Sequence, residues 1–186
     1  QETARNTLEI YDRKVPFETA IREVFPEDWL AEWKRHWKPT EIGRFVVAPP
    51  WIDVEDQEKI VIVIEPKMAF GTGTHETTRL CLKVLSEEGI AGDGFLDVGT
   101  GTGILSIAAA MITDEGCPIY GCDTDADSII AARENAEQNG VAERIVFEVG
   151  ELPADSPKYG TVAANVTLDV ILPMLDLLIE KAEKQL

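Results

Sequence analysis

A chain of 186 residues, 45% hydrophobic and 27% charged, can bury a core of its own and has the make-up of a folded protein. Its net charge of -17 sets 34 acids against 17 bases; such a surface repels phosphate backbones, so nucleic acid is not expected as a substrate and a basic protein is electrostatically welcome. No apolar run approaches the roughly 20 residues of a membrane-crossing helix, and the N-terminal "QETARNTLEI" lacks a secretory pattern, so a cytoplasmic location and no membrane partner are expected.

Up to about residue 40 the chain carries "EDWLAEWKRHW", in which Trp29, Trp33 and Trp37 recur every four residues and share one face of a helix that Pro39 ends. Packing against a core or another domain is the expected use of that face, with a ligand cage as the alternative. "RFVVAPPW" and "KIVIVIEP" read as two short strands joined by an acidic loop and bounded by Pro49, Pro50 and Pro66. "GTGTHETTRLCLKVLSEEG" reads as a helix capped at Thr74 or a neighbour, with Leu80, Val84 and Leu85 as its apolar stripe and Gly89 as its stop.

A strand and helix alternation follows. "GFLDVG" reads as a strand, "GILSIAAAMI" as a helix, "CPIYGCD" as a strand, and "DADSIIAARENAEQNG" as a helix closed by Gly140. "RIVFEVG" and "GTVAANV" are two more strands, and "LDVILPMLDLLIEKAEKQL" is a last helix running to the end of the chain. Such alternation implies an α/β fold, a doubly wound and mainly parallel sheet with helices on both faces. Cys81, Cys117 and Cys122 show neither paired metal-ligand spacing nor a redox C-x-x-C, so they are expected to be small buried apolar residues and no metal is expected.

The stretch "FLDVGTGTGILSIAAA" places Gly99, Gly101 and Gly103 at alternate positions between a strand and a helix. A dinucleotide fingerprint needs its last glycine three residues after the second, and that position is Ile104. The turn still lets a ligand approach bare backbone at a helix N-terminus, whose amides favour an anionic group. Asp97 stands just before the turn and Asp123 ends the next strand, the separation at which an acid can accept hydrogen bonds from two ribose hydroxyls.

D-x-G-x-G-x-G followed by such an acid resembles the Rossmann-like class I methyltransferases that use S-adenosyl-L-methionine. "EPKMAFGTGTHETTRLCL", "LDVGTGTGILSIAAA", "GCDTDADSIIAARENAEQNGV" and "AANV" together resemble a narrower group, the bacterial methyltransferases of large-subunit ribosomal protein eleven, the PrmA type. The resemblance runs from about Trp29 to near the C-terminus. It implies S-adenosyl-L-methionine contacts at Phe70, Thr78, Asp97, Gly99, Gly101, Gly103, Asp123 and Asn165, with Asn165 also orienting the nucleophile, and that ribosomal protein as the partner.

The resemblance also divides the chain. Residues 66–186 correspond to the methyltransferase domain, and residues 1–65 to an extension or linker left from a recognition domain. The family pairs its catalytic domain with a ferredoxin-like recognition domain for which the segment before Trp29 is too short, and its sheet continues for three strands after the fourth. The chain is therefore expected to be a fragment, or to omit segments, and to lack its last strands.

Methyl transfer from a sulfonium is an in-line displacement, so positioning a neutral amine and excluding water is most of the task. Neutralising a lysine, with a pKa near 10.4, costs about 4 kcal/mol, and an α-amine near 7.8 costs less. Lysine side chains and the N-terminal α-amine are both open as targets. Adenine-modifying relatives continue from the asparagine as N-P-P-Y, whereas here Val166, Thr167 and Leu168 follow Asn165, with no aromatic to stack a base. His75 is a weak candidate for a general base, and Glu151 could reach an adenine edge or be a solvated loop acid. An N-methyltransferase for another protein or a small molecule, or a cofactor-binding module without turnover, are the alternatives.

Overall fold

The computed structural model describes residues 2–10, 13–21, 38–54, 58–65 and 75–186. The expected tryptophan helix lies outside the described residues, as do Pro66, Phe70 and Thr74. The chain divides into two units, Gln1–Trp37 and Lys38–Leu186. In the first, β1 (Glu2–Ile10) and β2 (Arg13–Ile21) form an antiparallel hairpin in continuous register from Glu2 opposite Ile21 to Ile10 opposite Arg13.

The second unit begins with a three-stranded sheet of β3 (Thr40–Ile42), β4 (Phe45–Ala48) and β5 (Ile60–Val63), with β3 antiparallel and β5 parallel to the central β4. The last two are the expected strands; β3 is an addition. Its hairpin turns at Gly43, whose φ of 56° suits glycine and whose missing Cβ leaves room for the Ser86 side chain. Arg44 completes that contact: its backbone N–H donates to Ser86 Oγ at 2.8 Å and its guanidinium Nε to the Ser86 carbonyl at 2.9 Å.

Ser86 lies near the end of α1 (Glu76–Glu88), which His75 caps and Gly89 stops at φ 73°. The stripe that α1 buries is Thr78, Leu82, Leu85 and Ser86. Of the expected stripe, Leu85 is buried, whereas Leu80 and Val84 are 61% and 42% exposed. The contact with the Gly43 turn sets the buried face on the side of the helix that contains Ser86.

The main sheet follows the expected alternation. In chain order come β6 (Phe95–Val98), α2 (Ile104–Ile112), β7 (Ile119–Asp123), α3 (Ala126–Gln138), β8 (Ile145–Val149), β9 (Tyr159–Ala164), α4 (Leu168–Lys181) and β10 (Ala182–Gln185). Five strands lie in the order β10-β9-β6-β7-β8, every neighbouring pair parallel. The sheet therefore reverses direction of growth at β6, and β9 and β7 flank it at the switch point where open α/β sheets bind ligands.

Its two faces carry separate cores. On one, Phe95 packs with Ile104 and Ile107 of α2, Leu82 and Leu85 of α1, and Phe45 and Ile62 of the small sheet. On the other, Leu96 and Val98 pack with Cys122, Leu152, Val162 and Leu178. Phe95 and Leu96 thus enter opposite cores, the two-residue alternation of a strand buried on both faces.

The last helix is shorter than expected. It ends at Lys181, and Ala182–Gln185 continues as a fifth strand, Ala182 opposite Tyr159 and Gln185 opposite Thr161. "AEKQL" is rich in helix formers, but β9 offers unpaired ladder positions, and pairing there overrides propensity. The three cysteines are free; Cys122 is buried, and Cys81 and Cys117 are half-buried against the first core. Among the described residues no helix is long and apolar enough to cross a membrane.

Candidate active site

The glycine turn joins β6 to α2. Gly99, Gly101 and Gly103 have φ of 72°, 55° and 79°, all left-handed, so glycine is required by conformation at each. The turn is pinned to the neighbouring strand, with the N–H groups of Gly99 and Thr100 donating to the Cys122 carbonyl at 2.8 and 3.0 Å. The three glycines do different things. Gly99 and Gly101 line an open hollow; Gly103 packs inward, where a Cβ would lie 3.0 Å from the Ala132 Cβ and 3.1 Å from Phe147 Cζ.

Asp97 is 1% exposed and does not line the hollow. Its Oδ2 accepts from Thr100 Oγ1 at 2.7 Å, from Ser106 Oγ at 2.8 Å and from the Ser106 backbone N–H at 3.2 Å. Gly103, at the N-cap of α2, has no side chain to cap with, so a carboxylate from the preceding strand does it instead. Burial holds the Asp97 carboxyl above the usual carboxylate range, while the Thr100 and Ser106 hydrogen bonds pull the other way. In this structure Asp97 braces the turn.

Asp123, at the end of β7, does line the hollow. Its Oδ2 accepts from the Gly101 N–H at 2.9 Å and its Oδ1 from the Asp125 N–H at 3.0 Å, which fixes the carboxylate plane; each oxygen keeps further lone-pair capacity for a ligand hydroxyl. Asn165 follows β9 on the other side of β6 and lines the same hollow, its Nδ2 donating to Thr78 Oγ1 of α1 at 3.1 Å. Thr78 itself is fully buried.

Two adjoining hollows result. One, about 660 Å³, is lined by His75, Gly99, Gly101, Asp123, Asp125, Asn165 and Val166 among others. The second, about 500 Å³, takes Gly99, Asp123 and Val166 again and adds Gly150, Glu151, Leu152 and Met174. The first is polar-rimmed; the second mixes acids with apolar side chains, as suits a flat heteroaromatic ring. Val166 lies against Gly99 where the two meet, so tightly that a Cβ at Gly99 would collide with Val166 Cγ1. Cys122 also lines the second hollow, and burial pushes its thiol up to about 12, so it stays protonated there.

His75 lines the first hollow, but its Nδ1 accepts from the Thr77 N–H at 3.4 Å and pairs with Thr77 Oγ1 at 2.8 Å. That nitrogen serves as the helix cap. Phe70 lies outside the described residues.

Sequence reasoning missed an amide that holds the surroundings together. Asn135 of α3, 1% exposed, donates from Nδ2 to the Thr102 carbonyl of the glycine turn at 2.9 Å and accepts from the Glu65 N–H at 3.0 Å. It ties the turn to the chain that leaves β5. Asn139, one helical turn on, accepts from the Val63 N–H at 2.8 Å and donates to the Val63 carbonyl at 2.6 Å. Two asparagines four residues apart in "RENAEQN", both on the face that packs inward, were the available signal.

A five-stranded parallel sheet whose first strand ends in a bare glycine turn, whose second ends in an acid, and whose fourth ends in an asparagine at the same hollow defines the Rossmann-like class I methyltransferase architecture. The profile of the family described as Ribosomal protein L11 methyltransferase (PrmA) matches residues 1–185, and the chain belongs to that family. It is 42% identical over 162 residues to the ribosomal protein L11 methyltransferase of Geobacter metallireducens, a match covering 86% of this chain and 51% of that protein. The corresponding protein of an Exiguobacterium species is 38% identical over the same shares of each chain. Among solved structures, the ribosomal protein L11 methylase of Lactobacillus delbrueckii subsp. bulgaricus superposes with a TM-score of 0.70 at 27% identity, over 79% of this chain and 76% of that one. The chain spans about half the length of the curated relatives it matches.

Proposed function

We propose that this chain binds S-adenosyl-L-methionine and serves as the methyl-transfer part of an N-methyltransferase whose substrate is an amino group, a lysine side chain or the N-terminal α-amine, of a large-subunit ribosomal protein. The observation that carries the reading is the joined pair of hollows across the switch point, with Gly99 and Gly101 in the middle, Asp123 on one side and Asn165 on the other. We assign the function to the unit that begins at Lys38, with 66–186 as its cofactor-binding stretch and the β3 to β5 sheet as packed support. Phe70 is assigned to the same site on the family resemblance.

Bound there, the cofactor would supply a methyl carbon on a positively charged sulfur, an electrophile to which an amine lone pair would form a C–N bond as the C–S bond breaks and the neutral thioether leaves. The chain's own residues bind and orient. Asp123 would accept from the ribose diol, the glycine turn would admit the ligand to backbone contact, and Gly150 to Leu152, which line the second hollow, would border the adenine end. Asp97 and Gly103 hold the turn's shape from behind. Asn165 offers its amide oxygen to an N–H of the amine, aligning the lone pair. With His75 Nδ1 committed to its helix cap, the amine is taken up neutral, its proton left to solvent.

The -17 charge supports a basic protein rather than nucleic acid as the partner, and a ribosomal-protein substrate accords with a cytoplasmic location. The test is incubation with methyl-labelled cofactor and the purified ribosomal protein, followed by mapping of the labelled amines. Label on the protein's amines supports the reading. Cofactor binding with label on a different protein or a small molecule would transfer the site to another substrate, and binding with no transfer would leave a module without turnover.

A further inference from the structure

We propose that Val166 is a valve between the two hollows: its side chain rests on the bare backbone of Gly99, and the cofactor has to turn it aside in order to span both. This rests on the methyltransferase reading and deepens it.

The hollows share Gly99, Asp123, Val166 and Val170, so these four line the passage from one to the other. With Asp123 at the ribose diol, a flat ring in the second hollow and the amino-acid end in the first, the middle of the cofactor crosses that passage at Gly99. Bare backbone at a left-handed turn, here with a φ of 72°, lets a ligand come close. In this structure the bare face is covered. A Cβ on Gly99 would strike Val166 Cγ1, and among the described residues no other side chain, chain neighbours aside, comes within 4 Å of that position.

One face cannot hold a valine methyl and a ligand together, so the two exchange. The side chain is the part with room to move. Val166 lies between the end of β9 at Ala164 and Thr167, the N-cap of α4, whose carbonyl accepts from the Val170 and Ile171 N–H groups at 3.0 Å. So short a link between two anchored elements leaves the backbone little play. A valine has a single side-chain torsion, and another of its staggered positions takes the γ-methyl off Gly99. Half-buried on the wall of both hollows, it has open space to turn into.

A ligand that binds the open form alone is slowed, and its apparent affinity reduced, by the fraction of molecules that are open. One seated methyl group sets that fraction at about a quarter. Val166→Ala is therefore expected to raise the association rate of S-adenosyl-L-methionine about fourfold, read by surface plasmon resonance on the immobilised chain. Val166→Ile, which keeps both γ-carbons, is expected to stay at or below the wild-type rate. Val170→Ala is the control, because Val170 lines both hollows without lying on Gly99; its association rate should match the wild type. A residue that only walls the site has the opposite signature, an unchanged association rate and a faster dissociation. That result in Val166→Ala, or an equal rise in Val170→Ala, would overturn the proposal.

A second measurement reads the valve directly. A nuclear Overhauser contact between the Val166 γ-methyls and the Gly99 α-protons should be present without ligand and lost on saturation with S-adenosyl-L-homocysteine; its absence before, or its persistence after, would also overturn the proposal. If neither the wild type nor Val166→Ala takes up cofactor, the functional reading fails and the valve fails with it. Uptake with an unchanged association rate defeats the valve and leaves that reading standing.

Discussion

Replacing Asp97 with alanine separates a brace from a ligand contact. The carboxylate receives three donors, the Thr100 and Ser106 hydroxyls and the Ser106 N–H, all in a region closed to solvent. The Ser106 amide belongs to the first turn of α2, where losing a cap costs about 0.5 to 2 kcal/mol and losing a negative charge at a helix N-terminus costs a further 0.3 to 1, roughly. The two hydroxyls lie 3.3 Å apart and can turn toward each other, which recovers part of their loss. Relief of the buried charge offsets some of the remainder. The net expectation is a destabilisation of about 2 to 3 kcal/mol, read as a lower urea midpoint without cofactor. Asp97→Asn, which keeps an acceptor oxygen, should lose less than half of that. If Asp97→Ala unfolds at the wild-type midpoint and only cofactor affinity falls, the carboxylate is a ligand contact and the bracing argument is wrong.

The same residue sets a pH dependence. Burial raises its native pKa, so the folded chain binds that proton more tightly than the unfolded chain; the contribution is full below the ordinary carboxylate value and is lost as pH rises through the raised one. Asp97→Asn should remove that slope from a stability profile against pH. Asp123→Ala should lower S-adenosyl-L-methionine affinity at least about tenfold by calorimetry, since a charge-assisted hydrogen bond contributes roughly 1.5 to 3 kcal/mol; unchanged affinity would remove Asp123 from the site. Gly99→Ala should weaken cofactor binding through both its left-handed φ and its collision with Val166, and adding Val166→Ala should recover only the part due to the collision. Asn135→Ala should cost about 2 to 4 kcal/mol, because the Thr102 carbonyl and the Glu65 N–H both lose a partner; amide exchange at Glu65 should accelerate, and a protected Glu65 would show that another group takes over.

The ends of the parallel strands were legible because glycine at a left-handed turn and acids at strand termini are local requirements, written where they act. Gly99, Gly101 and Asp123 consequently meet at one hollow as their spacing implied, and Asn165, which only the family resemblance had pointed to, lines it with them. Asp97 was legible as a special position; that Thr100 and Ser106 close over its carboxylate was not, because their hydroxyls reach it only once the turn and the helix after it have formed. The stripe on α1 and the end of α4 were misjudged for one reason. Leu80 and Val84 against Thr78 and Leu82, or helix against strand at Ala182, are choices between locally adequate states, decided by partners far away in sequence: the Gly43 turn in one case and the edge of β9 in the other. β3 escaped notice because three residues carry too little periodicity to read.

The pairing of Asn139 with Val63 has a consequence for solubility. β5 is the outer strand of its sheet, and a parallel edge with open N–H and C=O groups is a template on which the backbone of another chain can add. On the side facing away from β4, the Val63 N–H and carbonyl are taken by one side-chain amide and the Glu65 N–H by another. The two asparagines behave as a short strand that cannot be extended, because their amides have no next residue to offer. At Val63 and Glu65 that edge is closed to intermolecular β-addition by side chains of the same chain, without a proline or a charge on the strand itself.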